Sequence, residues 1–296
     1  MSVSSSFRAG YVALIGRPNV GKSTLLNALL QFKLSIVTAK PQTTRKKIVG
    51  ILNEENSQII FYDTPGLLKP GYDLQKKMME YLQEAIRDAD VIGLITDIQS
   101  SPQELQSMTR DIFPSNKPVL LILNKIDLVS ENKVNMLLQT YQELFPQLEY
   151  LPVSAKQKQG LELLIDKVVD LLPEHPPFYP QDYLSDSNER FFIAEIIREK
   201  IFENYQKEIP YACHVDIEDM TEKRGRKDFI QAVIYVDQPS QKGIIIGSGG
   251  KSLKRIGESS RKDIETFLGR PVYLELYVKV LKNWRKKMSA LKNLGF

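Results

Sequence analysis

One cysteine, two histidines and one tryptophan stand in 296 residues, and these scarcities exclude whole classes of chemistry. A single thiol, Cys213, cannot close an internal disulfide, so a reducing, cytoplasmic setting is expected. Two histidines and one cysteine leave too few ligands for a structural zinc site. No apolar run approaches the roughly 18 residues that a membrane-crossing helix needs. The opening stretch MSVSSSFRAG has no apolar core of the kind a secretory leader requires, so none is expected. Wholesale disorder is excluded too: 42% of the residues are hydrophobic and 26% charged, as in ordinary folded proteins. The length suits two domains.

Net charge is only +4, but it is unevenly spread. Residues 1–184 carry 19 lysines and arginines against 20 acids, whereas residues 185–296 carry 21 against 16. The last 56 residues hold 13 cations and 4 anions. A basic end on a nearly neutral chain points to an anionic partner, nucleic acid first and an acidic membrane surface second. The plainer reading is a solvated lysine-rich tail.

The first half alternates short apolar runs with helix-period segments, the pattern of a mostly parallel sheet flanked by helices. Tyr11–Gly16, Ile48–Leu52, Gln58–Asp63, Val91–Asp97, Val119–Asn124 and Tyr150–Val153 read as strands. Helices are expected at Lys22–Leu30 and around 75–88, 102–112, 132–144 and 160–171. Four prolines between Pro173 and Pro180 then rule out a helix or a central strand and mark a hinge. Beyond it come an amphipathic helix at Arg190–Gln206, strands at Cys213–Glu218 and Phe229–Val236 around the charged connection EKRGRKD, and the apolar piece Gly243–Gly247. A helix over Lys251–Leu268 and a strand over Val272–Val280 complete the order α-β-β-α-α-β. The expected boundaries are an α/β domain over 8–174, a proline-rich linker over 175–184 and a smaller α+β domain over 185–296.

Gly16-Arg17-Pro18-Asn19-Val20-Gly21-Lys22-Ser23, followed by Thr24, fits G-x-x-x-x-G-K-[ST] between a strand and a helix. Glycines let successive N–H groups curl inward onto phosphates at a helix N-terminus, where the dipole favours anions. Lys22 supplies a point charge to the β- and γ-phosphates, and the Ser23 hydroxyl ligates Mg²⁺. Asp63-Thr64-Pro65-Gly66 ends a strand, where an aspartate holds Mg²⁺ and the Gly66 N–H can sense the γ-phosphate. Asn124-Lys125-Ile126-Asp127 ends another. A buried carboxylate there accepts from guanine N1–H and the exocyclic amine, donors that adenine lacks on that edge, and can discriminate by about 10⁴. Ser154-Ala155-Lys156 follows the next strand and can offer a backbone N–H to guanine O6. Four motifs in this order define a GTP-binding domain.

Together these motifs resemble the translation-factor-related P-loop GTPases. The resemblance places Pro41-Gln42-Thr43-Thr44-Arg45 in the first switch, with Thr44 completing the Mg²⁺ shell and Thr43 as the alternative. Many GTPases orient the attacking water with a glutamine just after D-x-x-G. Leu67 stands there and has no group that could do so, hence slow intrinsic hydrolysis is expected. The pattern is similar to GTPases with a hydrophobic residue at that position, several of which use K⁺ beside the phosphates, held by an asparagine at the position of Asn19; the plainer reading is that Asn19 only shapes the P-loop turn. Lys22, Thr44, Gly66 and Asn19 are accordingly the catalytic candidates.

Gly247-Ser248-Gly249-Gly250 is a G-x-x-G between two helical segments, the loop with which KH modules clamp about four nucleotides of single strand. The element order matches the type II KH arrangement. KH loops commonly carry a basic residue inside G-x-x-G; here Ser248 and Gly249 are neutral, so charge must come from Lys242, Lys251, Lys254 and Arg255. Ile246 offers an apolar surface beside the loop. Helical spacing puts Lys251, Lys254 and Arg255 on one face and Leu253, Ile256, Ile264 and Phe267 on the opposite, core-facing one. Trp284 and Arg285 can stack on a base or contact phosphate, or Trp284 can pack the C-terminus down.

A GTPase domain, a proline hinge and a type II KH domain resemble the Era family of bacterial ribosome-assembly GTPases, through GRPNVGKS, PQTTR, DTPGL, NKID, SAK, GRPVYLELYVKV and NWR. The resemblance implies a GTP/GDP switch that uses Mg²⁺, with K⁺ as a further candidate ion; a monomer is expected. Its KH domain would bind the 3′ end of 16S ribosomal RNA during assembly of the 30S subunit. GTP would shift the angle across the hinge and so expose or cover Gly247–Gly250. Two rivals remain: a membrane-associated signalling GTPase, peripheral at the inner face of the cell membrane, and an RNA-processing enzyme timed by GTP. The second would need another catalytic constellation, and the C-terminal half offers no Cys/His cluster.

Overall fold

The computed structural model describes residues 7–38, 40–110, 112–114, 116–223 and 226–296. Most of MSVSSSFRAG, and Arg224 and Gly225 of the charged connection, lie outside the described residues. Backbone contacts divide the chain into two units. The first runs up to Ser35 and includes Pro41–Lys69 and Met78–Asp186; the second holds Ile36–Lys40, Pro70–Lys77 and Ser187–Phe296.

In the first unit the elements are β1 (Arg8–Gly16), α1 (Lys22–Leu30), β2 (Ile48–Asn53), β3 (Ser57–Asp63), α2 (Asp73–Asp88), β4 (Val91–Asp97), α3 (Pro102–Thr109), β5 (Val119–Asn124), α4 (Glu131–Leu144), β6 (Glu149–Pro152) and α5 (Leu161–Leu171); the first turn of α2 counts with the second unit. The sheet order is β2-β3-β1-β4-β5-β6, antiparallel only at the β2–β3 pair. β3 and β4 are buried along their whole length because helices cover both faces, which is why their sequences read as unbroken apolar runs.

The proline-rich segment is not a free linker. Gln58, buried in β3, accepts the N–H groups of Phe178 and Tyr179 at 2.7 and 2.9 Å and donates to the Tyr179 carbonyl at 2.8 Å. The Ile51 N–H reaches the Leu184 carbonyl at 2.9 Å, and the Ser185 hydroxyl reaches that of Val49 at 2.6 Å. One buried amide thus satisfies backbone that prolines leave without regular partners.

The second unit contains α6 (Glu189–Asn204), a short α7 (Ile209–Ala212), β7 (His214–Thr221), β8 (Asp228–Val236), α8 (Pro239–Ile246), α9 (Lys251–Leu268), β9 (Val272–Val280) and α10 (Met288–Asn293). The sheet order is β7-β8-β9, with β7 antiparallel and β9 parallel to β8. Apart from the short α7 and α10, this is the expected αββααβ order. Gln238 and Gln241 form a capping box that starts α8, with Pro239 at its first turn. Ile256 and Ile264 of α9 join Ile193, Ile197 and Ile201 of α6 against Ile230, Ala232 and Ile234 of β8. Each such aliphatic side chain contributes about 1.5–3 kcal/mol by leaving water. Cys213 lies buried just before β7. Among the described residues, no helix is long and apolar enough to cross a membrane.

Candidate functional site

The carboxyl ends of β1, β3, β4, β5 and β6 meet at one edge of the first sheet, through the register Leu14↔Asp63, Gly16↔Ile95, Asp97↔Asn124 and Leu123↔Pro152. Parallel sheets bind ligands at that edge. α1 starts at Lys22 directly after Gly21 (φ 99°), and among the described residues no side chain caps it. Its first N–H groups therefore point outward without an acceptor, which is an anion cradle. Gly21 has no alternative residue: a Cβ there would lie 2.3 Å from Asn124 Nδ2. Lys22 is buried, and its ammonium donates to the carbonyls of Gly16 at 3.1 Å and Arg17 at 2.9 Å. Burial lowers its pKa to about 8, against the pull of the Asp63 charge.

Ser23, Thr44 and Asp63 close a triangle. The Ser23 hydroxyl donates to Asp63 Oδ2 at 2.7 Å, the Thr44 hydroxyl donates to the same oxygen at 3.1 Å, and the two hydroxyls lie 3.0 Å apart. Asp63 is fully buried, and among the described residues its Oδ1 has no hydrogen-bond partner. Burial raises the carboxyl above the usual range, opposed by the Ser23 hydroxyl and the Lys22 charge. Hard oxygen donors around an orphaned carboxylate oxygen fit Mg²⁺. Between the two threonines, Thr44 is the one buried in the triangle, at 7% exposure; Thr43 is only half-buried.

The second switch begins tight against the cradle. The Leu67 N–H donates to the Gly16 carbonyl at 2.9 Å, and a Cβ on Gly66 would fall 2.7 Å from the Pro18 nitrogen. The Thr64 hydroxyl is tied to the Leu14 carbonyl at 2.7 Å, and Pro65 is buried between them. The Leu67 side chain is buried in the apolar cluster with Ala13, Ile15 and Ile92. It has neither the chemistry nor the position to orient water.

At the base-binding edge, Asn124 is 2% exposed and bonded at both ends of its amide: Nδ2 donates to the Val20 carbonyl at 2.9 Å, and Oδ1 accepts from Lys125 N at 2.8 Å and Ala155 N at 3.0 Å. The Ser154 N–H goes to the Gln159 carbonyl, so Lys156 carries the donor this loop can still offer to a base. One expectation fails here. Asp127 is exposed rather than buried, because it sits on a 3₁₀ turn beyond the sheet edge, with the Ser154 hydroxyl donating to Oδ1 at 2.5 Å. Its carboxylate can be desolvated only by the base itself. The sequence reading also missed Asp97, which receives the Lys125 ammonium at 2.6 Å while that ammonium also donates to the Asn19 carbonyl at 2.7 Å. The signal available was an acidic residue ending an apolar strand, as at Asp63. Asn19 is held in the left-handed region at φ 66°.

In the second unit, Gly247, Gly249 and Gly250 have φ of 71°, 57° and 77°, and a Cβ on Gly249 or Gly250 would meet nothing within 4 Å. The loop backbone therefore faces open space. Ser248, Lys251, Lys254 and Arg255 are exposed around it, with Lys242 and Ile246 half-buried. Beside it lies a cleft of about 590 Å³ lined by Gly250, Leu253, Gly257 and Arg261 of the loop and α9, by Tyr273, Leu274 and Leu276 of β9, and by Lys227. Leu253 is thus a cleft wall as well as a core neighbour. The i, i+4 row Leu253–Gly257–Arg261 was legible as one helix face but was not read as a site.

Two further expectations are corrected. Trp284 is fully buried, donating its indole N–H to the Ala212 carbonyl at 2.9 Å, so it packs the C-terminal segment and stacks on no base. Arg285 is committed to Asp237 at 2.5 Å and lies 5.4 Å from the centre of the Tyr72 ring. Its charge is compensated. No group of three or more potential metal-binding His, Cys, Asp or Glu side chains occurs among the described residues.

Fold and site together define a P-loop GTPase that carries a C-terminal KH domain. A family model described as a 50S ribosome-binding GTPase matches residues 11–125, and a KH domain model matches residues 208–285. The chain is 44% identical to the chloroplastic GTPase ERA1 of Zea mays over all of its own length and 72% of that protein's. To GTPase Era of Thermoanaerobacter sp. (strain X514) it is 42% identical over 98% of this chain and 96% of the other. The chain belongs to the Era family of GTPases. Its structure is similar, with a TM-score of 0.95 and 38% identity over 98% of this chain and 99% of the other, to Era in complex with MgGDPNP and nucleotides 1506–1542 of 16S ribosomal RNA. A variant of Aquifex aeolicus Era bound to GDP and AlF4⁻ gives the same TM-score at 37% identity, with the same coverage.

Proposed function

We propose that this GTPase is a switch that clasps the single-stranded 3′ end of 16S ribosomal RNA in its KH cleft and acts in assembly of the 30S subunit. The observation that carries the reading is the coexistence, in one chain, of a GTP cradle and an open glycine loop beside an elongated cleft with cationic ends. The likeness to an Era captured with that RNA supports it. Lys22 and the first turn of α1 hold the phosphates; Asp127 and the Lys156 N–H read the guanine edge. Ser23, Thr44 and Asp63 would hold Mg²⁺, which when bound neutralises charge on the β- and γ-phosphates. With Leu67 in the core, positioning and charge must do the work that a glutamine does elsewhere. We assign to Asn19 a K⁺ that supplies part of that charge, and replacement of K⁺ by Na⁺ should slow turnover; an unchanged rate removes the assignment.

Ordering of Thr44 and Gly66 by the γ-phosphate gives the GTP and GDP forms different free energies, the only route by which the ligand can bias RNA binding. Fluorescence anisotropy with a 16S 3′-end oligonucleotide should give tighter binding with a non-hydrolysable GTP analogue than with GDP. Equal affinities would refute the switch. A cytoplasmic location goes with this reading, and cell fractionation tests it. The cleft favours RNA over the membrane-signalling alternative, which flotation with anionic liposomes in the absence of RNA would revive.

A further inference from the structure

The KH cleft has two ends. Its glycine-loop end lies at Gly250, and Gly257 faces Leu276, with a Cβ on that glycine falling 3.5 Å from Leu276 Cδ1. The remote end lies at Arg261 and Val272, about 16 Å further along α9 at 1.5 Å per residue. Lys227 stands at that remote end, next to Asp228, which pairs with Val272 at the start of β9. Lys227 also lines a second cavity of about 590 Å³, together with Lys223, Arg226 and Arg270 and with the carboxylates of Glu222 and Asp228.

The charge in this cavity is sorted. Arg270 binds Asp228 at 2.6 Å, Glu189 at 2.8 Å and Glu222 at 3.3 Å, so one guanidinium serves three carboxylates, and the cations of Lys223, Arg226 and Lys227 outweigh the two negative charges it leaves. Asp228 also accepts the Lys223 backbone N–H at 2.9 Å, which ties the β7–β8 connection to the turn before β9. Lys223, Arg226 and Lys227 are exposed at the cavity, with the Lys223 ammonium 5.6 Å from the centre of the Phe229 ring. At the junction, Phe229 and the 54% exposed Tyr273 are stacked with centroids 6.1 Å apart, a surface on which a base can continue the stack.

We propose that the RNA path continues past the cleft, and that this second cavity takes the phosphates of single-stranded nucleotides adjoining those held by the glycine loop. The inference rests on the RNA-clasping function proposed above. It predicts that a tetranucleotide, which fills the cleft, and an octanucleotide of the same sequence extended at either end bind differently. The intact chain gains affinity for the octanucleotide. If two phosphates are neutralised in the cavity, that gain shrinks about sevenfold between 50 and 200 mM salt, from a slope of about 0.7 per phosphate. The double variant Lys223→Ala/Arg226→Ala keeps the tetranucleotide affinity and the GTPase rate and loses the extra gain, because alanine retains the backbone bond to Asp228. A variant that keeps the full gain, or that weakens both oligonucleotides equally, overturns the proposal. An intact chain that binds neither length overturns the RNA function itself, a distinguishable result.

Discussion

Lys22 gives nucleotide binding a pH signature. Its ammonium is buried on two P-loop carbonyls, and desolvation brings its pKa from 10.5 to about 8. Bound phosphates need the charged form, so binding takes up a proton whenever the free protein has lost it. With a pKa of about 8, roughly nine-tenths of the free protein is charged at pH 7 and one-tenth at pH 9, so affinity for GDP should fall about tenfold across that range. Folding moves the other way. In the unfolded chain Lys22 holds its proton to 10.5, whereas the nucleotide-free native state releases it near 8. The unfolded state therefore binds more protons between those values, and the nucleotide-free protein gains up to about 3 kcal/mol of stability as pH rises through that window. Titration with a fluorescent GDP analogue at pH 7 and 9 measures the first effect, with Lys22→Arg as the reference because guanidinium does not titrate there. A flat affinity in the native protein, or an equal slope in the arginine variant, would refute the reasoning.

Leu67→Gln should not accelerate hydrolysis, since the side chain enters the apolar cluster; it should destabilise the protein by about 1–3 kcal/mol as a buried amide without partners, read by thermal melting and single-turnover assays. Asp127→Ala should weaken GDP binding about 10- to 100-fold, the value of a hydrogen bond to a charged acceptor, with no change for ADP in a competition titration. Ser248→Asp/Gly249→Asp puts two carboxylates into the open space above the glycine loop. RNA affinity should drop at least about tenfold by anisotropy, through like-charge repulsion of phosphate, while GTP turnover holds and the melting temperature falls slightly, because a side chain at the φ of 57° of Gly249 is strained.

The strands and the GTP motifs were legible because each motif has a fixed spacing and a strand end that announces it. Lys22 is a case in point: the P-loop string requires the residue before it to be glycine, and the structure shows the close approach at Gly21 that enforces this. What the spacing could not carry was burial. Thr43 and Thr44 are adjacent and identical, and only packing against Ser23 and Asp63 separates them. Asp127 belongs to a motif whose spacing says nothing of the 3₁₀ turn that leaves it in solvent. Trp284 and Arg285 lie in a basic string, and their partners Ala212 and Asp237 are too distant in sequence to be read locally. The anchoring of the proline segment was hidden for the same reason: Gln58, which holds it, lies 120 residues before Phe178.

Base recognition and phosphate binding are physically one system in this domain. Asn124 spends both ends of its amide on the scaffold, one on the P-loop carbonyl of Val20 and the other on the backbone of Lys125 and Ala155. Lys125 repeats the bridge, tying the carbonyl of Asn19 to Asp97. A buried, fully satisfied polar group is costly to leave half-paired, so these bonds hold or fail together. A mispositioned β5 end would therefore move the cradle that grips the phosphates as well as the edge that reads guanine. Asn19 occupies the meeting point of the two, with its carbonyl held by the Lys125 ammonium. The K⁺ proposed at Asn19 would, through that same carbonyl bond, respond to the guanine edge as well as to the phosphate chain.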